Sequence, residues 1–179
     1  MAGHGAPHSS ENKGVALLIA VLALFLAIAE TAAKSAQTEA LSANIEGANL
    51  WSFFQARTIR QTTVRTAAEA AALAPGDATA AQIQRWTATA ARWESEPETG
   101  EGRRELTTRA RAAEARRDRA MERYHMFEYA SASFQVGIVV ASASIITGVA
   151  LLLWGGMGLG LLGVGLAALG FFAPGLIHL

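Results

Sequence analysis

The sequence predicts an all-α membrane protein with three transmembrane helices, the first two extended into a long cytoplasmic antiparallel helical hairpin capped by a short helix. Three observations carry this expectation. Gly14–Ala29 is apolar throughout, Phe134–Trp154 is largely apolar again, and Met157–Ile177 follows after only Gly155-Gly156. Runs of this length read as membrane spans rather than core helices. The 15 Lys and Arg and the 15 Asp and Glu fall almost entirely between the first run and the second. That charged stretch is rich in Ala, Arg and Glu and has few helix breakers, so it reads as helix rather than sheet.

Residues 1–13, with Gly, Pro and Ser, read as a flexible N-terminal tail, and 14–33 as the first span. No Lys or Arg precedes Lys13, which favours a retained span over a removed leader. Gly14 to Ala74 holds no Pro and only one internal Gly, Gly47. One continuous helix is therefore expected to end near Ala74, roughly 90 Å from its start at 1.5 Å per residue. Pro75-Gly76-Asp77 stops it, because Pro disfavours helix in the residue before it and Asp can cap the next helix.

A short helix over 78–94 presents Ile83, Trp86, Ala90 and Trp93 on one face. Residues 95–102, with Pro97 and two glycines, form a loop. A third helix starts near Arg103 and closes the hydrophilic domain, 34–129. It continues into the second span, 130–154, and the third span is 157–177. Along this third helix Leu106, Ala110, Ala113, Arg117, Ala120, Tyr124, Phe127, Ser131, Phe134 and Ile138 step alternately by 4 and 3, a heptad seam. The complementary signal on the first helix is Leu41, Ile45, Ala48, Ser52 and Ile59. Level matching of two antiparallel helices puts seam residue Arg117 beside Glu46, and a buried charge needs such a partner.

Lys34, Arg116, Arg117, Arg119 and Arg123 flank the spans on the side of the hydrophilic domain, while the Gly155-Gly156 connection carries no charge. The hydrophilic domain and the C-terminus are therefore expected in the cytoplasm and the N-terminus outside. Glu30 and Lys34, one turn apart, and Glu128 at the matching level of the second span suggest an interfacial charge cluster. No ionisable residue lies between Phe134 and Ile177, which argues against a carrier of ions or protons. In the third span Gly156 and Gly160 form a small-residue packing motif.

Chemistry is poorly supported. The chain has no Cys, which removes disulfides, thiolate metal sites and a cysteine nucleophile. Phosphate-cradling Gly loops, His pairs at helical metal spacing and nucleophile elbows are missing from the sequence. Glu94, Glu96, Glu98 and Glu101 crowd one corner, read as a solvated turn whose acids favour the next helix start. His4 and His8 lie in the tail without fixed ligand geometry, and His125 has no carboxylate at i±4. Balanced charge gives no reason to expect nucleic acid. The expectation is a protein that is not an enzyme, with no cofactor and no metal.

The most distinctive stretch is Trp51 to Arg60. Arg57 lies one turn after Phe53 and can stack on it. Trp51, Phe54, Gln55, Arg57 and Arg60 are candidate contact residues, for packing within the chain and for contact between subunits. The pattern Trp-x-x-aromatic-Gln-Ala-basic-x-aliphatic-basic is met by Trp51, Phe54, Gln55, Ala56, Arg57, Ile59 and Arg60. Following an N-terminal span and followed by two closely spaced spans, it resembles the bacterial domain-of-unknown-function 4337 family of small integral membrane proteins. The resemblance covers most of the chain. It implies this topology in a bacterial inner membrane, and no activity.

The functional expectation is a membrane protein that self-assembles or serves as an accessory or scaffold subunit of a larger membrane complex. Its expected partners are the lipid bilayer, copies of itself and that complex. The alternative is a small oligomeric channel or transporter lined by Ser142, Ser144 and Thr147.

Overall fold

The computed structural model describes residues 8–73 and 76–176, with the side chains of 8–12 and of Asp77 left aside. Among the described residues it contains four α-helices, α1 (His8–Ala72), α2 (Asp77–Glu94), α3 (Arg103–Thr147) and α4 (Ala150–Phe172), and one 3₁₀ turn, Pro174–Leu176. No strand occurs among the described residues. α1, α3 and α4 are long and apolar enough to cross a membrane.

Two expected boundaries are corrected. α1 starts at His8, inside the expected tail, because His8 to Lys13 holds neither Pro nor Gly to interrupt it; His4 lies outside the described residues. The Gly155-Gly156 turn is not a turn. α3 ends at Thr147 and α4 begins at Ala150, so both glycines lie inside α4. The reversal is made by Gly148, at φ +68°. Its N–H donates to the Ser144 carbonyl at 2.9 Å, the left-handed closure that glycine adopts without a Cβ penalty. The next start is corrected as well: Gly76, extended, precedes α2, and Asp77 is its first helical residue rather than its cap.

The chain divides into two compact units, 8–40 with 118–176 and 41–117. In the first unit, α1, α3 and α4 enclose Leu22, Ala29, Ala130 and Phe134, with Leu18, Leu26, Ile138 and Leu166 packed around them. Phe127 joins Ala33 and Ala36. The α3–α4 contact pairs a small residue with a large or small partner every seven positions. A Cβ on Gly170 would stand 2.9 Å from the Phe127 ring, one on Gly163 2.7 Å from the Phe134 ring, and one on Gly156 3.0 Å from Ala141 Cβ. Gly160 instead accommodates Leu22 of α1, at 2.6 Å by the same measure. The expected Gly156–Gly160 motif therefore serves two helices, Gly156 facing α3 and Gly160 facing α1. Leu17, Leu24, Val139, Ile146, Leu151 and Leu161 remain exposed, apolar surface that suits lipid rather than water.

In the second unit, α1 and α3 run antiparallel. Leu50 packs on Leu106, Ala110 and Ala113, flanked by Trp51, Phe53 and Phe54. The expected α3 seam is buried at Leu106, Ala110, Ala113 and Ala120, and further along at Phe127, Ser131 and Phe134. The expected α1 seam is overturned: Leu41, Ile45 and Ile59 are 60%, 52% and 67% exposed, and Ala48 and Ser52 are exposed as well. The buried face of α1 is Ala36, Ala40, Ala43, Leu50, Arg57, Gln61 and Ala68, with Gly47 among them. These positions also alternate by 4 and 3, but small residues let the backbones approach, so the contact needs little apolar bulk on this side. On α2, Ala90 is buried and Ile83, Trp86 and Trp93 are half-buried.

The glycine–aromatic contacts make a paired prediction. Phe134 is fully buried, so Gly163→Ala forces a ring with nowhere to go and should cost about 1–3 kcal/mol. A Cβ on Gly165 meets nothing within 4 Å, so Gly165→Ala should be neutral or gain up to about 1 kcal/mol of helix propensity. Thermal unfolding in detergent, followed by helical signal, distinguishes the two.

Candidate functional site

The polar centre of the second unit is built by α1, the end of α2, the loop after it and the start of α3. Arg57, at 8% exposure, donates through Nη2 to Glu101 at 2.6 Å and lies 3.6 Å from Glu96. Its guanidinium stacks 5.4 Å above the Phe53 ring, as the one-turn spacing predicts. Its Nε has no hydrogen-bond partner among the described residues. Arg103 donates to Thr58 Oγ1 at 3.0 Å, Gln61 Oε1 at 2.9 Å and Glu94 Oε2 at 2.8 Å, and stacks 5.0 Å above Phe54. Gln61, 2% exposed, donates to the Ala90 carbonyl at 2.8 Å and to Glu94 at 3.1 Å. One amide thus joins α1 to both α2 and α3.

The acidic corner is therefore wired rather than merely solvated. Glu94 is held below the ordinary carboxylate range chiefly by the Gln61 hydrogen bond, then by the Arg103 and Arg104 guanidiniums, with desolvation opposing. Glu105 is lowered first by the Ser95 hydroxyl. It accepts from Ser95 Oγ at 2.7 Å and from the Glu96 N–H at 3.2 Å, folding the loop over the start of α3. Gly102 precedes α3 there, and a Cβ on it would stand 2.7 Å from Ser95 Cα and closer still to Glu105 and Glu96. Each acid of this corner that faces inward is matched to a guanidinium or an N–H. No group of three His, Asp or Glu able to hold a metal ion occurs among the described residues.

The other candidate residues are distributed as follows. Trp51 Nε1 donates to Glu114 at 2.8 Å and its ring meets Phe54 edge-on at 5.5 Å, so Trp51, Phe54 and Arg57 pack inward on their own chain. Gln55 and Arg60 point outward and are exposed. Glu46 pairs with Arg116, the neighbour of the expected Arg117; the helical rise gave the level but not which side of α3 the cation occupies. Arg117 is half-buried.

In the first unit the expected Glu30–Lys34–Glu128 cluster is replaced by two separate contacts. Glu30 accepts from Gln135 Nε2 at 3.2 Å, while Glu128 accepts from the Tyr124 hydroxyl at 3.1 Å and lies 3.8 Å from His125 Nδ1. Lys34 is exposed. Glu39 pairs with Arg123. Sequence reading missed Gln61, Arg103, Glu114 and Gln135. Gln61 had a usable signal, since it lies one turn after Arg57 on the same buried face.

Ser142, Ser144 and Thr147 donate to carbonyls of their own helix, at 2.7, 2.7 and 2.9 Å. An apolar groove of about 810 Å³ lies among Val15, Leu18, Val21, Val149, Leu153 and Met157.

These features define a protein that is all-helical among its described residues, with three helices of membrane-crossing length and apolarity. The chain belongs to the family Domain of unknown function (DUF4337), whose model matches residues 11–173. No curated protein and no solved structure matches it.

The polar centre predicts an acid dependence. A carboxylate whose folded pKa is depressed contributes stability above its unfolded value and loses it as pH falls through the folded value. Glu94 and Glu105 both start from 4.5, so stability should fall as pH drops below that value. Gln61→Leu removes the largest cause of the Glu94 depression. It should cost about 1–3 kcal/mol near neutral pH and flatten the acid limb. Denaturant unfolding between pH 3 and pH 7 measures both effects.

Proposed function

We propose that the chain is a non-enzymatic, multi-pass protein of the bacterial inner membrane that assembles with copies of itself, as a scaffold or accessory subunit of a larger membrane complex. α1 and α3 would then stand as an antiparallel hairpin in the cytoplasm, closed by α2. The excess of Lys and Arg beside the spans on that side supports a cytoplasmic hydrophilic part and an external N-terminus.

The observation that carries self-assembly is the exposed face of α1 in the second unit. Leu41, Ile45, Ala48, Ser52 and Ile59 keep the 4 and 3 spacing of a coiled-coil seam, yet their own chain leaves them exposed. The flanking Ser42, Asn44, Asn49 and Ala56 carry no charge. Two identical stripes can therefore face each other without like-charge repulsion, which favours a second copy as the occupant. The hydroxyls of Ser142, Ser144 and Thr147 spend their donors on their own helix, so they give a pore reading no support.

The test is the mass of the protein in mild detergent by light scattering. An oligomer is expected for the wild type. Leu41→Glu with Ile45→Glu, both at exposed positions where folding tolerates change, should lower its association at least tenfold with helical content unchanged. A wild type that is monomeric at every concentration overturns the proposal.

A further inference from the structure

We propose that Glu30 and Gln135 form the centre of an intramembrane contact between two copies of this chain. This rests on the self-assembly reading above and deepens it, by assigning a second face and its chemistry.

The argument starts from the depth of the pair. α4, Ala150–Phe172, contains no charged residue, and its 23 residues rise about 34 Å, close to the thickness of a bilayer core. It lies along α3 with Gly156 against Ala141, Gly163 against Phe134 and Gly170 against Phe127. Gln135, the neighbour of Phe134, is therefore level with the middle of α4. Leu22 meets Gly160, and α1 runs parallel to α4, so Glu30 is level with the last turns of α4 and still within its length. In a helix the Cα–Cβ bond tilts toward the N-terminus. In these antiparallel helices both side chains thus lean toward each other, and they meet at 3.2 Å.

The pair is inside the apolar stretch and yet on its outer surface. Both residues are exposed, among lipid-type side chains such as Ile28, Val136 and Val139. A carboxylate or amide held against acyl chains is costly, and polar groups at such depth turn inward or meet a partner. The pair is also self-complementary. A carboxylate has acceptor sites beyond the one that Gln135 fills, and an amide has a second N–H and a carbonyl. Two copies related by a two-fold axis can bond Gln135 of each to Glu30 of the other. The approach passes small side chains: Ala27 and Ala23, one and two turns before Glu30, are exposed on the same side of α1. Small residues four apart are the spacing at which membrane helices come close.

The cysteine-free sequence makes the test clean. Ala27→Cys in the otherwise unaltered full-length protein, in native membranes, should form a disulfide-linked homodimer on mild oxidation. Leu161→Cys on α4, 73% exposed, should form at least tenfold less. Combining Glu30→Leu with Gln135→Leu should abolish the Ala27→Cys dimer, and Glu30→Gln, which keeps hydrogen bonding, should preserve it. Equal cross-linking at both positions overturns the contact. So does a dimer indifferent to Glu30→Leu with Gln135→Leu, or cross-linking only to a different protein. A monomeric wild type overturns self-assembly as a whole, whereas an oligomer that fails these cross-linking criteria overturns this face alone.

Discussion

How closely α1 approaches its neighbours governs the rest of the structure, and side-chain size sets that distance. From Ala29 through Ala33, Ala36, Ala40 and Ala43, every buried position of α1 is a methyl, and Gly47 next in line has only a hydrogen. Large residues face small ones from either side: Phe127 of α3 lies against Ala33 and Ala36 of α1, and Leu50 of α1 lies against Ala110 and Ala113 of α3. α4 repeats the device with glycines set under Phe127, Phe134 and Leu22. Small-against-large packing fills the space without voids and fixes register, because a slip of one residue would bring ring against ring. It also explains the prevalence of Ala, which is the best helix former and the smallest residue carrying a Cβ.

This economy decides what could be read from the sequence. The α3 seam was legible because Leu106, Phe127 and Phe134 mark its phase with bulk. The α1 seam was not, since a run of Ala and Gly offers almost no hydropathy contrast. The eye instead follows Leu41, Ile45 and Ile59, which turn out to be the outer face. The same ambiguity misplaced the reversal between α3 and α4. Gly155-Gly156 looks like a turn, but both glycines lie inside α4 and the reversal falls at Gly148. The positive φ of Gly148 and the contact of Gly156 with Ala141 and Gly137 separate them, and neither is visible in the sequence. Level was recoverable from helical rise alone, which is why Glu46 finds a cation where one was expected. Azimuth was not, and the cation is Arg116.

The polar centre near Arg57 was illegible for another reason. Its members come from residues 57–61, 94–101 and 103–105, so no local window contains Arg57 or Gln61 together with the acids they meet. Once assembled, the centre obeys one rule: every inward carboxylate meets a donor, and the amide of Gln61 serves three elements at once. A half-satisfied network would be worse than an apolar one, so these residues act together in holding the loop and α2 to α1.

Glu30 follows the opposite logic. The carboxylates of the polar centre have donors of their own chain beside them: Glu94 is held low first by the Gln61 amide and then by guanidiniums, and Glu105 first by the Ser95 hydroxyl. Glu30 has a neutral amide, on a surface that is otherwise hydrocarbon. Water would tolerate this arrangement at once, and a bilayer would not. On the proposed membrane placement of α4 the pair lies within the bilayer, and its remaining hydrogen-bonding capacity is then met by protein. In the proposed contact a second copy brings an identical pair and two small residues to let it approach, and it also brings a second carboxylate, whose repulsion the crossed amide bonds have to offset. That match of donor to acceptor and of surface to surface makes self-association the most economical reading of an acid that the fold could otherwise have left out.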